Sequence, residues 1–141
     1  MAGDRVDFTL YLITDRTVLP AGATLYDQVE AALEGGLNGV QLREKDLSAA
    51  ERLPLAMKLR KLTSRFGAKL LINDRIDLAL AVKADGVHLG GHSLPAKVAR
   101  TLLGPDMLIG VSTHSLDEIA AAEEGGADFV TFGPIFDTPS K

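Results

Sequence analysis

Short apolar runs alternate with longer stretches of helical period along the whole chain. "LYLIT" (10–14), "GVQL" (39–42), "KLLIN" (69–73), "GVHL" (86–89), "MLIGVS" (107–112) and "DFVTFG" (128–133) read as strands. Five intervening segments are predicted to be helices. The second places Leu55, Leu59, Leu62 and Phe66 at helical spacing, with Ser48 and Glu51 spaced as a capping box and Pro54 offering an alternative start. The fifth opens on the same pattern, Ser115 with Glu118, and stops at Gly125 and Gly126. Gly35 and Gly36 end the first helix in the same way.

Strand starts recur every ~17 to 30 residues with a helix between each pair, the signature of consecutive βα units and a parallel sheet. No linker or low-complexity segment interrupts them, so residues 1–141 are expected to form one α/β domain. Two architectures fit: a doubly wound sheet, or a TIM-type (β/α)8 barrel whose functional groups gather at the C-terminal strand ends. Nearly every strand here ends in polar groups: Thr14 and Asp15; Gln41, Arg43 and Lys45; Asn73 and Asp74; His88; Ser112 and His114; then "GPIFDTPSK". A doubly wound sheet needs such groups only near its switch point, whereas a barrel brings all its strand ends around one mouth, so the barrel is expected.

Composition narrows the class. A chain with 46% hydrophobic and 24% charged residues has the makeup of a soluble globular protein. The net charge of −4 offers no general attraction for nucleic acid or an anionic membrane, so any anion site must be a local concentration of positive charge. There are no cysteines, which excludes disulfides and thiolate metal sites. The N-terminal "MAGDRVDFTL" lacks a signal-peptide core, and no run approaches the ~20 apolar residues that span a bilayer; a cytoplasmic location is expected.

The stretch "NGVQLREKD" (38–46) carries the sharpest chemistry. Side chains alternate along a strand, so Gln41, Arg43 and Lys45 share a direction, the lumen of a barrel, while Val40 and Leu42 pack outward on helices. Two cations converging there call for an anionic ligand, or for carboxylates such as Asp15 and Asp74. The bland alternative leaves Arg43 and Lys45 solvated in a loop. Equally bland, Asn73 and Asp74 could cap the helix carrying Leu78, Leu80 and Val82, and Thr138, Ser140 and Lys141 could be an ordinary polar tail. His88 and His92 have i, i+4 spacing, but Gly90 and Gly91 between them argue for a loop, and no zinc site is expected.

"VQLREKD", "LINDRIDLALAVKADGVHLG", "IGVSTHS" and "GPIFDTPSK" together resemble thiamine-phosphate synthase and its thiazole-tautomerase relatives, barrel proteins of thiamine biosynthesis. The resemblance runs from about Leu10 to Lys141. It implies a transferase in which a pyrimidine methyl diphosphate ionises, a thiazole phosphate captures the cation through its ring nitrogen, and pyrophosphate leaves with help from magnesium. Carried over, it implies pyrimidine diphosphate contacts in the segment Gln41, Leu42, Arg43, Glu44 and Lys45, and at Asn73, Ser112 and Lys141. Arg43, Lys45 and Lys141 would act on the leaving group, and Thr138, Pro139 and Ser140 would contact the thiazole phosphate. Asp74 would be a magnesium ligand. Partners are then small phosphorylated substrates, with no nucleic acid or membrane.

Two departures stand out. Where the synthase has a second magnesium-binding aspartate after "HLG", this chain has Ser93, which is instead expected to cap the helix in "LPAKVARTLLG". Only six βα units are recognisable where a barrel closes with eight. The flanks of the first and sixth strands are therefore expected to be open, inviting association with a second copy. Two other readings stay in view: a thiazole tautomerase with His114 as acid/base, or a partial barrel that binds phosphate ligands without turnover.

Overall fold

The structure, a computed structural model, describes residues 5–139. Its strands are β1 (Tyr11–Ile13), β2 (Gly39–Leu42), β3 (Lys69–Asn73), β4 (Gly86–Leu89), β5 (Leu108–Thr113) and β6 (Phe129–Phe132). Its helices are α1 (Leu25–Glu34), α2 (Ala49–Arg65), α3 (Ile76–Val82), α4 (Ala96–Leu103) and α5 (Leu116–Glu124), and a 3₁₀ turn (Arg16–Val18) follows β1. Every strand pairs in parallel with the next, in the order β1-β2-β3-β4-β5-β6. A doubly wound sheet reverses its strand order at a switch point, and this one does not. The sheet also curls: Tyr11 of β1 and Phe129 of β6 stand at opposite ends of the strand order, yet their ring centroids are 5.6 Å apart. The result is a curled half-barrel of the TIM type.

Alternation along the strands builds two layers. Val40, Leu42, Leu70, Ile72, Val87, Leu89 and Ile109 face outward and are buried against Val29, Leu33, Leu59, Leu62, Ala79, Val82 and Leu103 of the helices. The inner face carries Tyr11, Leu71, His88 and Phe129, joined by Phe8 in a stack of rings with centroids 5.1 to 5.7 Å apart. Glycine at 110 makes that packing fit, because a Cβ there would lie 2.4 Å from the Phe129 ring. Gly86 allows β4 and β5 to approach: a Cβ would lie 2.1 Å from the Leu108 carbonyl oxygen.

At the N-terminal ends of the strands one device recurs. Asn38, just before β2, accepts from the N–H groups of Thr9 and Leu10. Asp85, just before β4, accepts from Leu70 N–H (2.7 Å) and from Arg60 of α2 (2.9 Å). Asp128, just before β6, accepts from Ile109 N–H and Arg100 of α4 (both 2.9 Å) and also pairs with Arg5. A short polar side chain entering each even-numbered strand thus satisfies edge N–H groups that the ladder leaves over.

Helix boundaries follow the caps. Ser48 and Glu51 form the full capping box, so α2 begins at Ala49 and Pro54 lies inside it, tolerated where only one backbone bond is lost. Ser115 caps α5 through Glu118 N–H. The capping role expected of Ser93 is not realised: α4 starts at Ala96 behind Pro95 with no side-chain cap, and the Ser93 hydroxyl accepts from Gly90 N–H at 2.9 Å, closing the loop after β4. Among the described residues no helix is long and apolar enough to cross a membrane.

Candidate active site

The C-terminal strand ends surround a cleft of about 530 Å³ to which every strand or the loop after it contributes. Ile13, Gln41, Arg43, Lys45, Asn73 and Ser112 line it, with Gly90, Gly91, His114 and Thr131 closing the sides. A smaller recess of about 270 Å³ adjoins it, sharing Lys45, Asn73, Gly90 and Gly91 and adding Arg52, Asp74, His92 and Ser93. The structure therefore brings together Gln41, Arg43, Lys45, Asn73, Asp74, Ser112 and His114 of the residues singled out from sequence. Ser93 and Asp74 both line the recess.

Leu42 and Glu44 share the segment but their side chains do not line the cleft. Leu42 is part of the sheet–helix core. The Glu44 carboxylate is buried and accepts from the Thr14 hydroxyl (2.7 Å) and Arg16 N–H (3.0 Å). Thr14 in turn accepts from Arg43 N–H at 2.9 Å, so Glu44 braces the turn that presents Arg43 and Lys45. Asp15, a candidate counter-charge, caps the 3₁₀ turn through Thr17, whose hydrogen bonds hold its pKa below the ordinary value. Thr138 is half-buried and Pro139 exposed, and neither lines the cleft; Ser140 and Lys141 lie outside the described residues.

Asn73 and Asp74 do not cap α3, whose N-cap is Arg75 without a side-chain bond. Asp74 instead adopts φ 64°, a left-handed conformation costly for a residue with a Cβ, and stays exposed at the rim of the recess. Asn73 turns inward and donates to Gln41 Oε1 at 2.8 Å. Gln41 Nε2 donates to the Tyr11 hydroxyl at 3.1 Å, and Tyr11 Oη lies 2.9 Å from His88 Nδ1. His88 Nε2 lies 3.0 Å from Ser112 Oγ, which also accepts from Thr131 Oγ1 at 3.3 Å. One hydrogen-bonded chain thus links all six strands across the lumen.

The chain has a direction. The Tyr11 oxygen receives a proton from Gln41, so its own proton goes to His88 Nδ1, which leaves the His88 proton on Nε2, aimed at Ser112. Burial pushes the Tyr11 pKa above its ordinary value and keeps the phenol protonated. Burial, followed by the nearby Arg43 charge, lowers the His88 pKa to about 4, so the imidazole is neutral near pH 7 as the chain requires. Ser112 accepts from both neighbours and keeps its own hydroxyl proton for the cleft. Tyr11 was not among the residues singled out from sequence. Its alternation with Ile13 puts it on the inner face, but its reach from β1 to β4 comes from sheet curvature.

His114 sits at the cleft edge with Nδ1 3.5 Å from Glu118 Oε2. Among the described residues no three His, Asp or Glu side chains form a metal-binding cluster, and Asp74 is the carboxylate of the recess. Cations dominate the mouth. Arg43 and Lys45 make no ion pair among the described residues, while Arg5, Arg16, Arg60, Arg65, Arg75 and Arg100 each meet an aspartate or glutamate.

Comparison with known proteins adds ancestry to this geometry. The family model described as thiamine monophosphate synthase matches residues 10–141. Similar proteins include one from Geobacter sulfurreducens, 61% identical over 97% of this chain and 64% of its own length. They also include the thiamine-phosphate synthase of Clostridium acetobutylicum, 48% identical over 96% of this chain and 64% of its own. The solved structure of a thiamine phosphate pyrophosphorylase from Pyrococcus furiosus superposes with a TM-score of 0.81 at 41% identity, covering 91% of this chain and 61% of that one. The chain spans about 64% of the length of the curated relatives it matches.

Proposed function

The chain belongs to the thiamine monophosphate synthase family, and from that premise we propose that it takes part in making thiamine phosphate from a pyrimidine methyl diphosphate and a thiazole phosphate. The observation that carries the reading is the convergence of unpaired Arg43 and Lys45 with Gln41, Asn73 and Ser112 at one mouth. Such a site suits a ligand with a polar ring and a multiply charged tail. In the reaction the pyrimidine methylene carbon loses its diphosphate, which departs with the bonding electron pair, and the thiazole nitrogen lone pair forms the new C–N bond. Arg43 and Lys45 stabilise charge gathering on the departing oxygens, where fixed cations are most effective. Gln41 and Asn73, held by each other, orient the pyrimidine, and Ser112 donates its free proton to the diphosphate. Thr138, Pro139, Ser140 and Lys141 are assigned to the thiazole phosphate and the leaving group by resemblance.

The donor set fits magnesium brought in with the diphosphate: Mg²⁺ takes one or two carboxylates and completes its shell with phosphate oxygens and water, and Asp74 is an exposed carboxylate free of a helix-capping role. When bound, the ion would neutralise charge on the leaving pyrophosphate. The reading implies a cytoplasmic enzyme acting on small molecules. The test is incubation with both phosphorylated substrates and Mg²⁺, following thiamine phosphate and pyrophosphate, alongside calorimetric binding of the pyrimidine diphosphate. Neither binding nor product would overturn it. The His114–Glu118 pair favours a second reading, thiazole tautomerisation, identified by metal-independent isomerisation of a thiazole carboxylate phosphate.

A further inference from the structure

Arg52 has no explanation in the fold. It is, with Arg43, the arginine that meets no carboxylate among the described residues, and its Nε is buried without a hydrogen-bond partner. Arg60 Nε is also unpartnered, but the Arg60 guanidinium is anchored on Asp85, Lys83 O and Thr63. Arg52 has no such anchor. Its neighbour Glu51 is committed to Ser48 in the capping box, which holds the Glu51 pKa below the ordinary value. Arg52 also sits in the first turns of α2, at the positive end of the helix dipole, where a cation is disfavoured. A guanidinium kept there, partly desolvated and unpaired, is a group awaiting an anion.

The recess it lines identifies that anion. Lys45, also unpaired among the described residues, faces the same space, which opens into the larger cleft at Lys45 and Asn73. Two cations against the single carboxylate of Asp74 leave the recess of about 270 Å³ with a positive surplus that matches a phosphate group in size and sign of charge. Resting on the synthase reading for the diphosphate itself, we infer that Arg52 is a phosphate ligand that, with Lys45, grips the distal phosphate of the diphosphate. The nearby Ser93 fits this role: its hydroxyl is held by Gly90 N–H, and it adds no second carboxylate to the recess that Asp74 and Arg52 line. The chain has a neutral group where its family resemblance leads one to expect a carboxylate, together with a cation in the same recess. A neutral Ser93 beside a cationic Arg52 favours holding the leaving group by protein charge.

The experiment is a calorimetric titration with inorganic pyrophosphate, metal chelated, of the wild type, Arg52→Ala, Arg52→Lys, Lys45→Ala and the control Arg65→Ala. Arg65 lies on the same helix and is paired with Glu30 on the surface. Arg52→Ala is expected to weaken binding roughly 10- to 100-fold, the range of a lost charged hydrogen bond. Arg52→Lys should recover part of the loss, Arg65→Ala should match the wild type, and the salt dependence of binding should flatten in Arg52→Ala. Circular dichroism and thermal melting should remain as in the wild type, since the Arg52 side chain makes no hydrogen bond or ion pair among the described residues. Unchanged binding in Arg52→Ala alongside loss in Lys45→Ala would overturn the role of Arg52 and leave the diphosphate reading standing. A wild type that does not bind pyrophosphate would overturn both.

Discussion

Acidification should loosen this fold through one buried imidazole. In the unfolded chain His88 takes a proton near the ordinary histidine value of about 6.5. In the folded protein it resists until about pH 4, because burial strips water from the cation and Arg43 repels it. Its partners there, Tyr11 and Ser112, are neutral, and no carboxylate hydrogen-bonds to the ring. The folded pKa is depressed for a base, so as pH falls the unfolded state binds the proton first. Stability is then full above about pH 6.5, falls through the window down to about pH 4, and levels off once the folded state protonates as well. The depth of that loss is roughly 3 kcal/mol, from ~1.4 kcal/mol per unit of pKa difference, a large share of the 5–15 kcal/mol that typically separates folded from unfolded states.

The carboxylates move in a different window. Asp15, Glu51 and Asp77 have lowered folded pKa values, so their contributions are present above the ordinary carboxylate range and are lost as pH falls through the lower folded values. Urea unfolding from about pH 7.5 to about pH 4, with and without His88→Asn, isolates the imidazole. The wild type should lose stability across the window, and the variant, though weaker at neutral pH, should stay nearly level. Parallel loss in both proteins, or an NMR titration of the His88 ring near pH 6.5, would refute the reasoning.

Tyr11→Phe keeps the ring stack but strands Gln41 Nε2 and His88 Nδ1; a loss of about 1 to 3 kcal/mol is expected in denaturant unfolding, with the Nε2–H preference of His88 weakened in ¹⁵N spectra. Gly86→Ala should cost about 3 kcal/mol or more, visible as a sharp drop in melting temperature, because the added methyl meets Leu108 backbone and no flexible side chain can yield. Ser93→Asp should lower the Mg²⁺ concentration needed for pyrophosphate binding by about tenfold while weakening metal-free binding, measured calorimetrically, by adding a second carboxylate to the recess that Asp74 lines.

The elements were legible because each obeys a local rule. Apolar runs of strand length, glycine pairs after α1 and α5, the Ser48/Glu51 capping box and the Ser115 cap all lie within a few residues of what they specify; the second box does not close, because the Glu118 carboxylate accepts from His114 N–H. The strand polarity at the C-terminal ends was equally readable, and it selected the barrel over the doubly wound sheet. What escaped depends on distance in space. Ser93 has the residue type of a helix cap, yet Pro95 and the turn back to Gly90 take over that role. Glu44 shares its segment with Arg43 and Lys45, yet packs away from the cleft onto Thr14 and Arg16, because strand alternation sends it to the other side. Arg52 looks like any surface cation of an amphipathic helix. Its buried, unpartnered Nε and the lack of an ion pair in three dimensions set it apart.

Charge pairing separates the two ends of the sheet. At the N-terminal ends, Asp85 and Asp128 each bind an arginine from a helix and an N–H from the neighbouring strand, so the charges there are neutralised within the chain. At the C-terminal ends, Arg43, Lys45 and Arg52 form no ion pair among the described residues, in a chain whose acidic residues outnumber its basic ones, 19 to 15; Asp74 is the carboxylate that lines their recess, and Asp15 acts on Arg43 only through its field. Three cations set against Asp74 and the more distant Asp15 leave a surplus of positive charge at the mouth, which hydration offsets until an anion arrives. The polar chain beneath, from Asn73 through Tyr11 to Ser112, fixes the neutral groups of the mouth in one hydrogen-bonding state, so that the cations are added to a floor already ordered. A site built this way takes its binding energy from the ligand's charge and its selectivity from the floor. For that reason removing Arg52 should change affinity and salt dependence together, whereas removing the Tyr11 hydroxyl should change how well the ring end of the ligand is held.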